Sequence, residues 1–311
     1  MTKILVTGGA GFVGSCMVDK LIENPENFVV IVDDLSTGNK ARLPEVFKER
    51  WKFIKCDVNK FRDIASVMMA YQFDYIFHYA AVVGVKRTLD NPVSVLNDIN
   101  GFKYLLDLSK NSGVKRFLFS SSSEVYGEPF EHPQNELTTP LNSRLPYAVV
   151  KNVGESFLRS YKQEFDLDYT IFRFFNTYGP KQSQDFVMSK FINLATSNKD
   201  IPVYGDGKQT RTFCFKDDNI DTCANAFYEN KIVNDTVNIG SDFETTIIDL
   251  AKLVIEVTES KSKIIHLPPL PEGDMSRRKP DIGKMRSLLG RDLLPIAEGI
   301  KRTFASGKYN F

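Results

Sequence analysis

Histidine is scarce, with three in 311 residues, and there are only four cysteines. Cys16, Cys56, Cys214 and Cys223 form no CxxC pair, and no Cys/His cluster has zinc spacing, so no metal centre is expected. A charge excess is lacking too: 40 Lys plus Arg against 39 Asp plus Glu leave a net +1. Such a surface supplies no field to gather nucleic acid or an anionic membrane, so neither is an expected partner. No apolar run reaches the roughly 18 residues of a spanning helix. The start shows no basic-plus-apolar leader, because Lys3-Ile-Leu-Val-Thr-Gly already reads as structure. Repeats and low-complexity tracts are also missing. These absences point to a cytoplasmic, reduced, soluble protein.

What is present is an ordinary globular balance, 42 % hydrophobic and 25 % charged. Apolar, β-branched runs fall at Lys3–Thr7, Phe28–Val32, Lys52–Cys56, Tyr75–Tyr79, Arg116–Ser121 and Tyr169–Phe174. Few of them alternate polar and apolar, so they read as strands buried on both faces of a parallel sheet. Amphipathic stretches between them predict helices over Gly11–Glu23, Asn59–Ala70, Pro92–Asn111 and Tyr147–Phe165. That alternation is an α/β, doubly wound parallel sheet. After Asn176 turn clusters multiply, as in Tyr204-Gly-Asp-Gly-Lys and Pro268-Pro-Leu-Pro-Glu-Gly-Asp. The expected division is a nucleotide-binding domain over 1–176 and a smaller α/β lobe over 177–311, with an interleaved boundary.

Thr7-Gly8-Gly9-Ala10-Gly11-Phe12-Val13-Gly14 follows a strand and opens a helix. Gly8 permits the tight turn, Gly11 permits close backbone approach, and Gly14 lets helix pack on strand. The N–H groups of the helix start then hold a pyrophosphate. Asp33 ends the next strand, 22 residues past Gly11, near the spacing of an acid that accepts the ribose hydroxyls of NAD and repels the phosphate of NADP. The alternative for Asp33 is a helix cap. Asp57, after the third strand, is placed for the adenine amine or for a simple end-of-strand cap.

Tyr147-Ala-Val-Val-Lys151 opens a helix, with phenol and ammonium one turn apart on one face. The lysine is expected to lower the tyrosine pKa, so that the phenol exchanges a proton near neutral pH. Strand five ends in Ser120-Ser121-Ser122-Ser123-Glu124-Val125-Tyr126-Gly127, at the sheet edge where α/β proteins bind ligands. A serine there can share the hydrogen bond to the same substrate hydroxyl.

With TGGAGFVG at 7–14, Asp33, Tyr79-Ala-Ala, SSSSEVYG at 120–127, YAVVK at 147–151, RFFNTYGP at 173–180, VYGDGKQTRTFCFKDD at 203–218 and RRKPD at 277–281, the chain resembles extended short-chain dehydrogenases/reductases of the nucleotide-sugar epimerase/dehydratase family. The resemblance covers nearly the whole chain. It implies a Rossmann-type NAD domain, a C-terminal lobe for a nucleoside-diphosphate sugar, and a homodimer through helices 92–111 and 147–165. It implies NAD contacts from Gly8, Gly11, Phe12, Val13, Asp33, Asp34, Leu35, Ser36, Thr37, Gly38, Asp57, Val58, Tyr79, Ala80, Ala81, Ser120, Tyr147, Lys151 and Phe174. Tyr147, Lys151, Ser122 and Glu124 become the catalytic candidates. Ser122 and Tyr147 would bind the sugar C4 oxygen, and Lys151 would orient the nicotinamide ribose. Val85, Ser122, Ser123, Glu124, Tyr147, Asn176, Val187, Tyr204, Arg211 and Arg278 become the substrate candidates. Asn176 would contact the diphosphate, and Arg211 and Arg278 would neutralise it, since guanidinium suits phosphate; surface salt bridges are the alternative for both. His78 reads as buried scaffold.

The same resemblance separates reactions. A 4,6-dehydratase carries Asp-Glu at the positions of Ser123-Glu124, and a serine cannot protonate the leaving C6 hydroxyl. A UDP-glucuronate decarboxylase carries Ser-Glu there and resembles His132-Pro-Gln, yet has Tyr-Asp-Glu-Gly-Lys at 147–151. The reading is NAD-dependent oxidation at C4 of a nucleotide sugar in surface polysaccharide biosynthesis. The 4-keto species is either released (a 4-dehydrogenase, a GDP-linked heptose being one substrate the sequence suits) or re-reduced (a 4-epimerase). The alternatives are the decarboxylase, the dehydratase, and a non-enzymatic NAD-binding sensor, which would not need Ser122, Tyr147 and Lys151.

Overall fold

A computed structural model describes every residue except 85–87, 89, 129, 269–276 and 310–311. Seven strands form the main sheet: β1 Thr2–Thr7, β2 Asn27–Asp33, β3 Trp51–Lys55, β4 Tyr75–His78, β5 Arg116–Ser122, β6 Asp168–Phe174 and β11 Asp235–Ile239. Their spatial order is β11-β6-β5-β4-β1-β2-β3, and the pairs from β6 through β3 are parallel. The order reverses at β1, between β2 and β4, which makes the carboxyl end of β1 the topological switch point. Thr7 is in register there with Val32 on one side and His78 on the other.

The apolar runs form these strands because both faces are covered. Ile4, Leu5, Val6, Val29 to Val32, Ile76, Phe77, Phe117 and Leu118 are all buried. β3 departs from the reading of strands buried on both faces. It lies at the sheet edge, and every one of its residues keeps some exposure. Lys52 and Lys55 suit an edge, where charge discourages pairing with another chain.

Helices α1 Phe12–Leu21, α2 Phe61–Tyr71, α3 Pro92–Leu96, α4 Asp98–Ser109 and α5 Pro146–Phe165 accompany the strands. The single helix expected over 92–111 is two, parted at Asn97. The side chain of Asn59 accounts for the break. Its Nδ2 donates to Asp98, its Oδ1 accepts from the Gly101 N–H at 3.0 Å, and together they draw the start of α4 onto the loop after β3.

The chain divides into two compact units: residues 1–127, 141–174 and 220–237, and residues 128–140, 175–219 and 238–311. It passes between them after Gly127, Pro140, Phe174, Asn219 and Val237, beside the interleaved boundary near 176 that the sequence suggests. The second unit has its own core, with Met188, Phe191, Ile192, Leu250, Val254 and Ile300 buried together. It pairs β7 Thr177–Tyr178 with β10 Cys214–Phe215, β8 Ile201–Tyr204 with β13 Ile264–Leu267, and β9 Thr210–Thr212 with β12 Glu244–Thr246. Among the described residues no helix is long and apolar enough to cross a membrane.

Candidate active site

The loop between β1 and α1 is built by its glycines. Gly8 sits at φ +66°, and a Cβ on it would lie 2.5 Å from the Ala80 nitrogen. A Cβ on Gly14 would lie 2.3 Å from the Gly8 carbonyl oxygen, so helix and loop close to backbone contact. Gly11 caps α1 with no side-chain hydrogen bond, and the first turn, from Phe12 and Val13 onward, has no acid. That terminus therefore suits an anion.

Asp33 closes the other side of the loop. Its Oδ2 accepts from the Ala10 N–H at 3.0 Å and its Oδ1 from the Leu35 N–H at 2.9 Å, so it is a loop organiser rather than a helix cap. Burial raises its pKa and these two N–H groups oppose the rise. Gly38 lies against the carboxylate, where a Cβ would be 2.3 Å from Oδ1. Asp34 accepts from Ser36, and the buried Arg42 donates to the carbonyls of Ala10 and Thr37, so residues 33–38 fold back on the loop. Asp57 accepts from the Asn59 N–H at 3.0 Å, a local turn at the strand end, and the adjacent Val58 is buried. Tyr79 lies beside Phe174, their ring centres 6.2 Å apart, and Ala80 and Ala81 follow β4. The backbone cradle, the uncapped helix start and the acid at the end of β2 fit a dinucleotide.

The second cluster joins β5 to α5. Lys151 donates its ammonium to the Ser120 carbonyl at 2.7 Å, and Tyr147 bonds the Ser122 hydroxyl. Ser122 also accepts from the Glu124 N–H at 3.2 Å, capping the short turn Ser123–Tyr126 that carries Ser123 and the half-buried Glu124. Burial raises the Tyr147 phenol well above its ordinary value. The Ser122 bond opposes this, and Glu124 and Asp98 add to it. The expected lowering by Lys151 is thus overturned. The ammonium is held on Ser120, 5.7 Å from the Tyr147 ring centre, and removal from water dominates. Lys151 itself is pushed down to about 8 by burial, against the pull of Asp98.

Residues not singled out from the sequence complete this cluster. Asp98 accepts from the Val82 N–H at 2.8 Å and from Asn59. Its field reaches Lys151 and Tyr147, although it is far from both in sequence, so no local pattern marks it. Glu155 continues the Tyr147–Lys151 face by one further turn, and that spacing could have marked it. His78 is buried among Phe102, Phe117 and Phe119 and pushed down to about 3 by burial, so its ring is neutral scaffold.

Two candidates of the second unit meet at β9. Asn176 donates to the Thr212 carbonyl at 3.0 Å, and Arg211, beside Thr212, is in register with Thr245. Glu244, opposite Thr212, takes a two-point bond from Arg277 at 2.6 and 2.7 Å, and the buried Arg278 follows Arg277. Tyr204 ends β8, and Val187 begins the helix Val187–Thr196. Val85 lies outside the described residues.

A model of the NAD dependent epimerase/dehydratase family matches residues 4–240. The chain belongs to that family. It is 36 % identical over 309 residues to UDP-glucuronic acid decarboxylase 1 of Arabidopsis thaliana, covering 96 % of this chain and 68 % of that protein. The UDP-glucose 4-epimerase of Thermotoga maritima, solved with UDP-glucose, superposes with a TM-score of 0.91 at 32 % identity over 98 % of each chain. The UDP-glucose 4-epimerase of Thermus thermophilus, solved with NAD, gives 0.89 at 26 % identity over 98 % of each chain. As a member of the family the protein is an enzyme whose cofactor is NAD.

Proposed function

We propose that the enzyme oxidises C4 of a nucleoside-diphosphate sugar to a 4-keto species and re-reduces it, as a 4-epimerase. The Ser122–Tyr147 bond beside Lys151 carries this reading. NAD, when bound, supplies the hydride acceptor and donor. The C4 hydroxyl takes the place between Ser122 and Tyr147, and Tyr147 holds the proton that leaves it. The Ser122 hydrogen bond favours the phenolate form that accepts this proton, and Lys151 orients the nicotinamide ribose. In the second unit, Arg211 and Arg278 neutralise the diphosphate and Asn176 positions it. Ser123 offers no acid to expel the C6 oxygen, so the sugar keeps it.

Release of the ketone would instead make a 4-dehydrogenase, with a GDP-heptose among its candidate substrates. The decarboxylase reading is favoured by the 36 % identical relative and by Glu124 beside Ser123. The buried thiols of all four cysteines fit the cytoplasm. The exposed Val93 and Leu96 on α3 fit a homodimer through the helices of the first unit.

Mass spectrometry of products from UDP-, GDP-, dTDP- and CDP-sugars decides among these. An unchanged mass with a new C4 configuration is expected. Loss of two hydrogens would mean a dehydrogenase, loss of carbon dioxide from a uronate a decarboxylase, and loss of water would defeat the Ser123 argument.

A further inference from the structure

Three successive residues of β5 bond three successive turns of α5. The Ser120 carbonyl takes Lys151, the Ser121 hydroxyl donates to Glu155 Oε1 at 2.7 Å, and Ser122 meets Tyr147. The middle rung is the most heavily built. Glu155 is 0 % exposed and Arg173, on β6, 2 %. Glu155 Oε1 also accepts from Arg173 Nε at 2.9 Å, and Oε2 accepts from Arg173 Nη2 at 2.7 Å and Arg159 Nη2 at 2.9 Å. Those donors use the whole accepting capacity of a carboxylate. Burial alone would raise its pKa, yet the Arg173 bonds bring it below the ordinary glutamate value. Arg173 then reaches on, donating Nη1 to the buried Tyr126 hydroxyl at 2.8 Å with its guanidinium 4.8 Å from that ring centre. Tyr126 ends the short turn that carries Ser123 and Glu124.

We propose that Glu155 is a positioning residue: the clamp Ser121–Glu155–Arg173–Tyr126 fixes the helix face bearing Tyr147 and Lys151 against the turn bearing Ser122 to Glu124. It rests on the C4-oxidation reading for its catalytic consequence and on the contacts alone for its mechanical one. A buried ion pair adds little net stability against an apolar substitute, so packing alone does not account for a carboxylate at this place. A fixed geometry does, because a displacement of about 1 Å in a reacting group costs on the order of 10²-fold in rate.

Ser121→Ala removes one rung and leaves the ion pair intact; Glu155→Gln removes the charge. Hydrogen exchange on the whole protein reads the clamp without a substrate. Amides 123–127 in Ser121→Ala should exchange about 10-fold faster than in wild type, as expected when a local unit loses a tether, with 27–33 unchanged. Unaltered protection at 123–127 overturns the proposal. Turnover of UDP-glucose, UDP-glucuronate and GDP-mannose reads the consequence. Ser121→Ala should lower kcat about 3- to 10-fold with KM within about two-fold, and should cost nothing further in a Tyr147→Phe background, since residues acting through one another are not additive. An equal cost in both backgrounds makes the clamp merely structural and overturns its positioning role. A Tyr147→Phe enzyme with wild-type rate instead sinks the C4-oxidation reading, and the exchange experiment still decides the clamp.

Discussion

The two halves of the candidate site in the first unit are made of different materials. The loop after β1 is backbone: glycines that admit no Cβ, N–H groups at an uncapped helix start, and one aspartate that bonds main-chain N–H groups. The β5–α5 side is side chain on side chain: hydroxyls, an ammonium, and a buried carboxylate shared by two arginines. Backbone sites depend on what is absent from a position, side-chain sites on which functional group is present. A substitution in the first half should therefore act on cofactor binding and packing together, while one in the second can remove chemistry and leave binding standing.

Tyr147→Phe breaks the comparison at its strongest point. The ring and its packing stay, and only the hydroxyl bonded to Ser122 goes. The rate should fall by about 10²- to 10⁴-fold, the range for a positioned acid–base group, with NAD and nucleotide-sugar binding nearly unchanged. Rapid-quench turnover beside calorimetric binding checks it, and near-normal turnover would place the proton elsewhere.

Gly14→Ala tests the backbone half. One methyl would meet the Gly8 carbonyl oxygen at 2.3 Å, and no flexible side-chain end is there to yield. Overpacking of this kind costs roughly 1–3 kcal/mol. NAD affinity and the thermal midpoint should fall together, unlike in Tyr147→Phe. A variant that loses neither would show that the loop has slack.

That contrast also explains what the sequence discloses. Glycine spacing, a strand before it and an acid after the next strand are local patterns, so residues 7–14 and Asp33 are readable. Tyr147 and Lys151 are readable because one helical turn joins them. The pairing of Ser120, Ser121 and Ser122 with particular turns of α5 depends on how strand and helix pack, which no local spacing encodes. Asp98 needs the fold still more, because Asn59 and Val82 bring it in from separate loops. The direction of the Tyr147 shift escapes the sequence for a related reason: spacing reveals a neighbouring charge but not the loss of water around both groups. In the second unit the motif around Arg211 is visible, whereas the pairing of Arg277 with Glu244 joins residues 33 positions apart, which no local spacing encodes.

The smallest expected effect concerns Lys151, where burial and a distant carboxylate compete. Its folded pKa of about 8 lies below the ordinary lysine value of 10.5. Between those values the unfolded chain holds the proton more tightly than the folded one. This group's contribution to stability therefore rises as pH climbs from about 8 toward 10.5. Activity that depends on the ammonium moves the other way and falls as pH rises through about 8. Asp98 is the charge that holds the Lys151 pKa up against burial, so Asp98→Asn should shift the alkaline limb of kcat to lower pH. The amide oxygen that this substitution introduces can still accept from the Val82 N–H, which keeps the loop in place. The thermal midpoint measured over the same pH range separates the two outcomes. If the limb moves in rate while the variant stays folded, Asp98 acts through charge on Lys151. If the limb stays where it is, the ammonium that sets the alkaline rate is not that of Lys151.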